Sequence, residues 1–225
     1  MTDTGEHRHA GEAAGITRWL VIHDDLLRGL AHAMSNRLAT IGAVASVLGG
    51  GSTPDERFVR GLQQDADQLE ALLQTLRQLP RRDDALPEPM LVADAVETAR
   101  RLVEHHPDLR AVGVTVKTRN DVVPVLADPA ALAHAMVVSL LAAVRNGGAE
   151  PDLVITLETI GDEVVVHAGG DIDTPAVLAQ AVQAAHADRA AIDWLLSGSH
   201  GHADLAAPGT VIRLRTLQAS RRRAG

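Results

Sequence analysis

The chain has 225 residues, 46% of them hydrophobic and 22% charged, with a formal net charge of −8, which describes a folded protein of one large or two small domains. It has no cysteine, so disulfides, thiolate metal sites and cysteine nucleophiles are excluded, and its acidic balance argues against general nucleic-acid binding. Aromatic residues make up 1%, limited to Trp19, Trp194 and Phe58, which leaves no base-stacking platform and a core of Leu, Val, Ala and Ile.

Residues 1–15 are polar, carry no signal-peptide core and read as a disordered tail. No apolar run reaches the length of a membrane span, so the expectation is a cytoplasmic protein with no membrane partner. From about Thr17 to Leu48 the sequence reads as one helix about 48 Å long, stopped by Gly49-Gly50-Gly51. Leu27, Ala31, Met34, Leu38, Ile41, Ala45 and Leu48 alternate by four and three residues, a heptad stripe suited to packing against other helices. His32 and Asn36 fall outside that stripe on a face shared with Arg28, Ser35, Ala39 and Thr40, so the imidazole is displayed to solvent.

A second helix opens at Thr53-Pro54-Asp55-Glu56, with Thr53 as cap and Glu56 closing a capping box, and carries the stripe Leu62, Ala66, Leu69, Leu73 and Leu76. The two helices form an antiparallel hairpin over residues 16–80. One hairpin cannot cover both stripes, and pairing of two copies into a four-helix bundle, hence a homodimer, is the economical solution.

Residues 81–89, rich in proline and charge, read as a linker. From 90 to 218 the pattern mixes elements: a helix over Leu91 to Val103, a strand at Val112 to Val116, and a short strand at Pro124 to Ala127. A helix then runs from Asp128-Pro129 to about Asn146. Strands at Leu153 to Thr159 and Glu163 to His167 flank the turn Ile160-Gly161-Asp162. Helices follow at Pro175 to Ala185 and Ala187 to Leu196, and a closing strand at Thr210 to Leu217. The class is α+β, with a helical hairpin ahead of an α/β sandwich. Residues 219–225 read as a basic tail.

Leu30-Ala31-His32-Ala33-Met34-Ser35-Asn36-Arg37-Leu38-Ala39, the helix from Asp128 to Val144, and Gly209-Thr210-Val211-Ile212-Arg213-Leu214 together resemble the sensor histidine kinase family. The first is similar to its histidine box, the second to its asparagine-box helix, and the third to its closing strand. The resemblance implies a phosphoaccepting His32 on a dimerising hairpin, followed by a kinase-type ATP-binding domain. The departures fall on the chemistry. Positions that would carry nucleotide-facing asparagines hold Ser139 and Ala143, and alanine cannot ligate magnesium. The Asp-x-Gly-x-Gly box matches Ala168, Gly170 and Ile172, although a shifted alignment would bring in Asp171 or Asp173. The acidic residue that usually follows the histidine is Ala33, and Asp24 and Asp25 lie about two turns away.

These features favour a histidine phosphotransferase with a degenerate ATP-binding domain. His32 exchanges phosphoryl groups with response-regulator receiver domains, and Asn36, Ser35 and Arg28 assist. No intrinsic cofactor is expected; the magnesium belongs to the partner receiver. The alternatives are a catalytically inactive dimeric scaffold and, third, an active ATP-dependent histidine kinase. Among smaller signals, His200-Gly201-His202 reads as an exposed loop rather than a metal site. His105-His106 reads as a helix end where imidazolium suits the dipole, and Gly169-Gly170 as a turn.

Overall fold

The structure is a computed structural model and describes residues 3–49, 55–77, 86–147, 152–169, 182–199, 201–206 and 209–224. Helix α1 runs from Asp3 to Gly49 without interruption, and α2 follows from Glu56 to Arg77. The stretch up to residue 15 that reads as a tail is therefore helical from Asp3 onward, because Gly15 and Trp19 anchor that end against the rest of the molecule. Thr53 lies outside the described residues. Among the described residues the Asp55 carboxylate accepts the Phe58 N–H at 2.8 Å, one of the donors a helix start leaves unmet. The Arg37 guanidinium meets Asp65 at 3.0 Å and ties the hairpin across its width.

After the hairpin come β1 (Glu88–Met90), α3 (Val92–Val103), β2 (Gly113–Thr118), β3 (Val125–Ala127) and α4 (Pro129–Gly147). The chain continues through β4 (Asp152–Ile160), β5 (Glu163–Gly169), α5 (Val182–Leu195), a 3-10 turn, β6 (Gly201–Ala206), β7 (Gly209–Arg215) and α6 (Leu217–Ala224). Five strands form a mixed sheet in the order β2-β4-β5-β7-β6, parallel between β2 and β4 and antiparallel elsewhere. Gly161, at a φ of 60°, makes the tight link between β4 and β5.

The α+β class and the hairpin ahead of an α/β layer agree with the sequence pattern. Three short elements differ. Glu88 and Pro89, read as the end of the linker, belong with Met90 to β1, which pairs antiparallel with β3. The loop expected at Gly201-His202 is β6, a strand of weak propensity held by its ladder to β7. The basic tail is α6, pinned where Arg222 meets Asp162 of the β4–β5 turn at 3.2 Å. The helix expected at Pro175 to Ala185 falls largely outside the described residues.

Helix α4 is hydrophobic on all sides, and residues 131–143 are all buried, which makes it the interior element of the domain. Asp128 starts it, accepting the N–H groups of Ala130 and Ala131 at 2.9 and 3.2 Å, with Pro129 at the first helical position. It lies against β5 and β7 on one side, and α3 and α5 flank it.

The N-terminal half of α1 belongs to this core. Trp19, Ile22, Leu26 and Leu30, spaced three and four residues apart, are all buried. The expected stripe is offset from this one: Leu38 is 54% exposed, Ala31 and Ala45 are exposed, and Leu27, Met34, Ile41 and Leu48 are half-buried. Two glycines permit the close approach. A Cβ on Gly15 would overlap the Ala190 carbonyl, and one on Gly29 would overlap the His105 carbonyl. Between them the buried Asp188 accepts from Arg18 of α1 at 2.7 Å and Arg145 of α4 at 3.2 Å. A half-removed ion triad of this kind would leave two guanidiniums without their counter-ion.

Gly29→Ala should lower stability by about 1–3 kcal/mol through overpacking. Gly42→Ala in the same helix, with nothing within 4 Å, should raise it by up to about 1 kcal/mol. Urea unfolding of the two variants reads both, and equal midpoints would contradict the packing.

Candidate functional site

On the exposed face of α1, His32 and Asn36 stand one turn apart with the Asn36 Nδ2 3.3 Å from the His32 Nε2. An amide NH₂ only donates, so in this contact Nε2 accepts and presents its lone pair, which places the ring proton on Nδ1. Both side chains are exposed, as their place outside the apolar stripe predicts. Ser35 is exposed on the same turn, and the Thr40 hydroxyl returns to the Asn36 carbonyl at 3.1 Å. The contact is a weak surface bond that a reacting group can displace.

Arg28 is placed differently from expectation. It lies four residues before His32, yet its guanidinium turns the other way, meeting Asp25 at 3.0 Å and also Asp24. The positive charge expected beside His32 is thus engaged by two carboxylates. Ala33 is half-buried and packs on the core, so the position after His32 faces inward rather than toward the displayed ring.

The positions matched to a nucleotide site lie in the interior. Ser139 is fully buried and its hydroxyl donates to the Ala135 carbonyl at 2.8 Å, one turn back along α4. Ala143 is buried and brings no oxygen. Ala168 is buried on β5, in register with Thr210 of β7, whose buried hydroxyl has no hydrogen-bond partner among the described residues. A carboxylate at 168 would stand next to that hydroxyl; a methyl group leaves it unmet. The donors at these three positions do not fit a magnesium nucleotide. Gly170, Asp171 and Asp173 lie outside the described residues. Among the described residues no group of three His, Asp or Glu side chains is arranged to hold a metal ion. No helix among them is long and apolar enough to cross a membrane.

A cluster that the sequence did not single out joins α1 to the α/β layer. Trp19 packs edge-on against His134, with centroids 4.5 Å apart, and against His23 at 5.6 Å. His106 is 2% exposed and its Nε2 faces the Asp25 carboxylate at 3.9 Å. Its Nδ1 accepts the Asp108 N–H at 3.2 Å, so the neutral ring carries its proton on Nε2, toward Asp25. Burial holds the pKa values of His23, His105 and His106 below the ordinary histidine value, against the opposing pull of nearby carboxylates. The imidazolium expected at His105-His106 is therefore disfavoured by desolvation. The sequence signal was there in the pair itself, but burial at the end of α3 depends on α1 closing over it.

Solved structures similar to this chain include the histidine kinase AdeS of Acinetobacter baumannii, at 17% identity over 85% of this chain and 97% of that one, with a TM-score of 0.43. A bacterial phosphotransferase is similar at 15% identity over 86% of this chain and 95% of its own, with a TM-score of 0.40. A histidine kinase from Burkholderia phymatum is similar at 14% identity over 96% and 98%, with a TM-score of 0.39. No family model matches the sequence, and no curated protein matches it.

The three depressed histidines set a pH dependence of stability. The unfolded chain takes up protons near pH 6.5 that the folded chain refuses, so their contribution is complete above that value and is lost as pH falls below it. Urea midpoints should rise between about pH 5 and pH 7.5, and His106→Asn should flatten the rise. A midpoint that climbs on acidification would refute the assignment.

Proposed function

We propose that the chain is a histidine-kinase-like protein of a two-component system and that it works as a histidine phosphotransferase. His32 takes a phosphoryl group from the aspartyl phosphate of one receiver domain and passes it to another. The observation that carries this reading is the displayed ring itself: Asn36 holds Nε2 in its accepting form on a helix whose other face is built into the core. In the transfer, the Nε2 lone pair attacks phosphorus. The Nε2–P bond forms as the aspartyl O–P bond breaks, the receiver's carboxylate departs, and the imidazole ring keeps its Nδ1 proton. Magnesium is supplied with the receiver and stays there. The Asn36 amide then shifts its donation from Nε2 to a phosphoryl oxygen, and Ser35 stands close enough along the helix to join it.

The chemistry needs exposure and alignment rather than an ATP-binding apparatus. The interior placement of Ser139, Ala143 and Ala168 supports loading from a partner over loading from a bound nucleotide. The incompletely covered stripe through Leu27, Ala31, Met34, Leu38, Ile41, Ala45 and Leu48 supports a homodimer in which the same stripe of a second copy closes the four-helix bundle.

Incubating the full chain with phosphorylated receiver domains should place acid-labile phosphate on His32. His32→Ala should abolish it, and Asn36→Ala should slow transfer about tenfold, the equivalent of one lost hydrogen bond. Labelling of the wild-type chain by magnesium ATP alone would overturn the phosphotransferase reading in favour of a kinase. Tight receiver binding without any label would overturn it in favour of a scaffold.

A further inference from the structure

Arg28 stands midway between two sets of possible partners on one helix face. Asp24 and Asp25 lie four and three residues before it, and His32 lies four residues after it. A guanidinium on a flexible stem reaches either way, and adjacent turns on a helix bring such pairs into contact. A neutral imidazole cannot compete with two carboxylates for that cation, whereas a phosphoryl dianion on Nε2 can. The carboxylate side is also approached from outside the helix. The buried His106 turns its proton-bearing Nε2 toward Asp25 at 3.9 Å, and the neighbouring His105 carbonyl lies where a Cβ on Gly29 would sit. The α/β layer therefore meets α1 at the turn that contains Arg28.

We propose that Asp24 and Asp25 are positioning residues that keep Arg28 off His32 until the ring is phosphorylated, and that His106 couples the α/β layer to this exchange through Asp25. Arg28 is then a counter-ion that changes partners. It pairs with aspartates while His32 is free and with the phosphoryl group once Nε2 carries it. The proposal rests on the phosphotransferase reading of His32. It extends that reading by giving the α/β layer a mechanical part in the chemistry through contacts with α1.

Exposed ion pairs of this type are weak, so the exchange is poised rather than locked. Removing the aspartates should tilt it toward the phosphorylated state by about two- to fivefold. A bare helix-stabilising role for the same pairs predicts a different result: loss of helix stability with no change at the phosphoryl group.

The test uses the full chain and phosphoramidate, a small donor that needs no receiver domain. Its P–N bond breaks, ammonia leaves, and the Nε2–P bond forms. The readouts are the phosphohistidine signal in ³¹P NMR, its pH titration midpoint and the amount accumulated at steady state, with His32→Ala as the site control. Arg28→Gln should raise the titration midpoint of the phosphoryl group by a few tenths of a pH unit and lower its accumulation. Asp24→Asn/Asp25→Asn should lower the midpoint and raise accumulation about two- to fivefold. His106→Gln, which keeps a donor near Asp25, should stay close to wild type, while His106→Ala should move in the direction of the aspartate variant. A phosphohistidine at position 32 that titrates alike in wild type, Arg28→Gln and the double aspartate variant overturns the proposal and leaves the phosphotransferase reading intact. A wild-type chain that takes no phosphoryl group at His32 overturns both.

Discussion

The closure of α1 onto the α/β layer governs the rest of the molecule. A long helix would ordinarily stand apart from a domain that follows a proline-rich segment. Here Gly15 and Gly29 allow its backbone to approach Ala190 and the His105 carbonyl, and the buried Asp188 bridges a guanidinium from α1 and another from α4. Trp19, Ile22, Leu26 and Leu30 then bury against the layer, and residues 131–143 of α4 have no solvent-facing side. The order of causes is steric first and hydrophobic second. Without the two glycines the apolar side chains could not come within contact distance of the surfaces they cover.

One consequence is a division of labour along a single helix. From Gly15 to Leu30, α1 is a core element; from Ala31 onward none of its residues is fully buried, although Ala33 and Met34 still pack on the core. His32 comes two residues after Leu30, the last buried residue of α1 among the described residues. Its backbone is held by packing one turn away, and its ring projects into solvent. On the phosphotransferase reading, that combination of rigid support and free access suits a nucleophile serving a large partner. The same closure places Asp25 beside His106, so the segment after α3 meets α1 at the turn before His32.

Much of the fold was legible because it follows local periodicity. The hairpin, the helix opening at Asp128-Pro129 and the strand–Gly161–strand unit are each written in a few adjacent residues. The display of His32 and its pairing with Asn36 were legible for the same reason. What was not legible depends on two interleaved stripes. Leu27, Ala31, Met34 and Leu38 form a better heptad than Trp19, Ile22, Leu26 and Leu30, yet the second set is the one buried in this chain. Periodicity identifies apolar faces and does not rank which of two will find a surface. The turn of Arg28 toward Asp24 and Asp25 was hidden for a related reason. Residues four before and four after a cation are equivalent in a helical pattern, and only the net charge available on each side breaks the tie. The strand β6 was missed because Gly201 to Ala206 has little intrinsic β preference and exists through its ladder with β7.

The interior of the α/β layer completes the physical account. An ATP-binding site needs polar side chains that remain uncovered, which is costly in a small domain. At positions 139, 143 and 168 this chain has a hydroxyl satisfied by its own helix and two methyl groups. These three positions are filled by packing, and the Thr210 hydroxyl, buried opposite Ala168, has no hydrogen-bond partner among the described residues. The layer gains a closed core on which α1 can rest. On the phosphotransferase reading, that packing is functional: an α/β layer that does not have to open for nucleotide can serve as a fixed support for the turn through Asp25, Arg28 and Gly29, while His32 does its work one turn further along the same face.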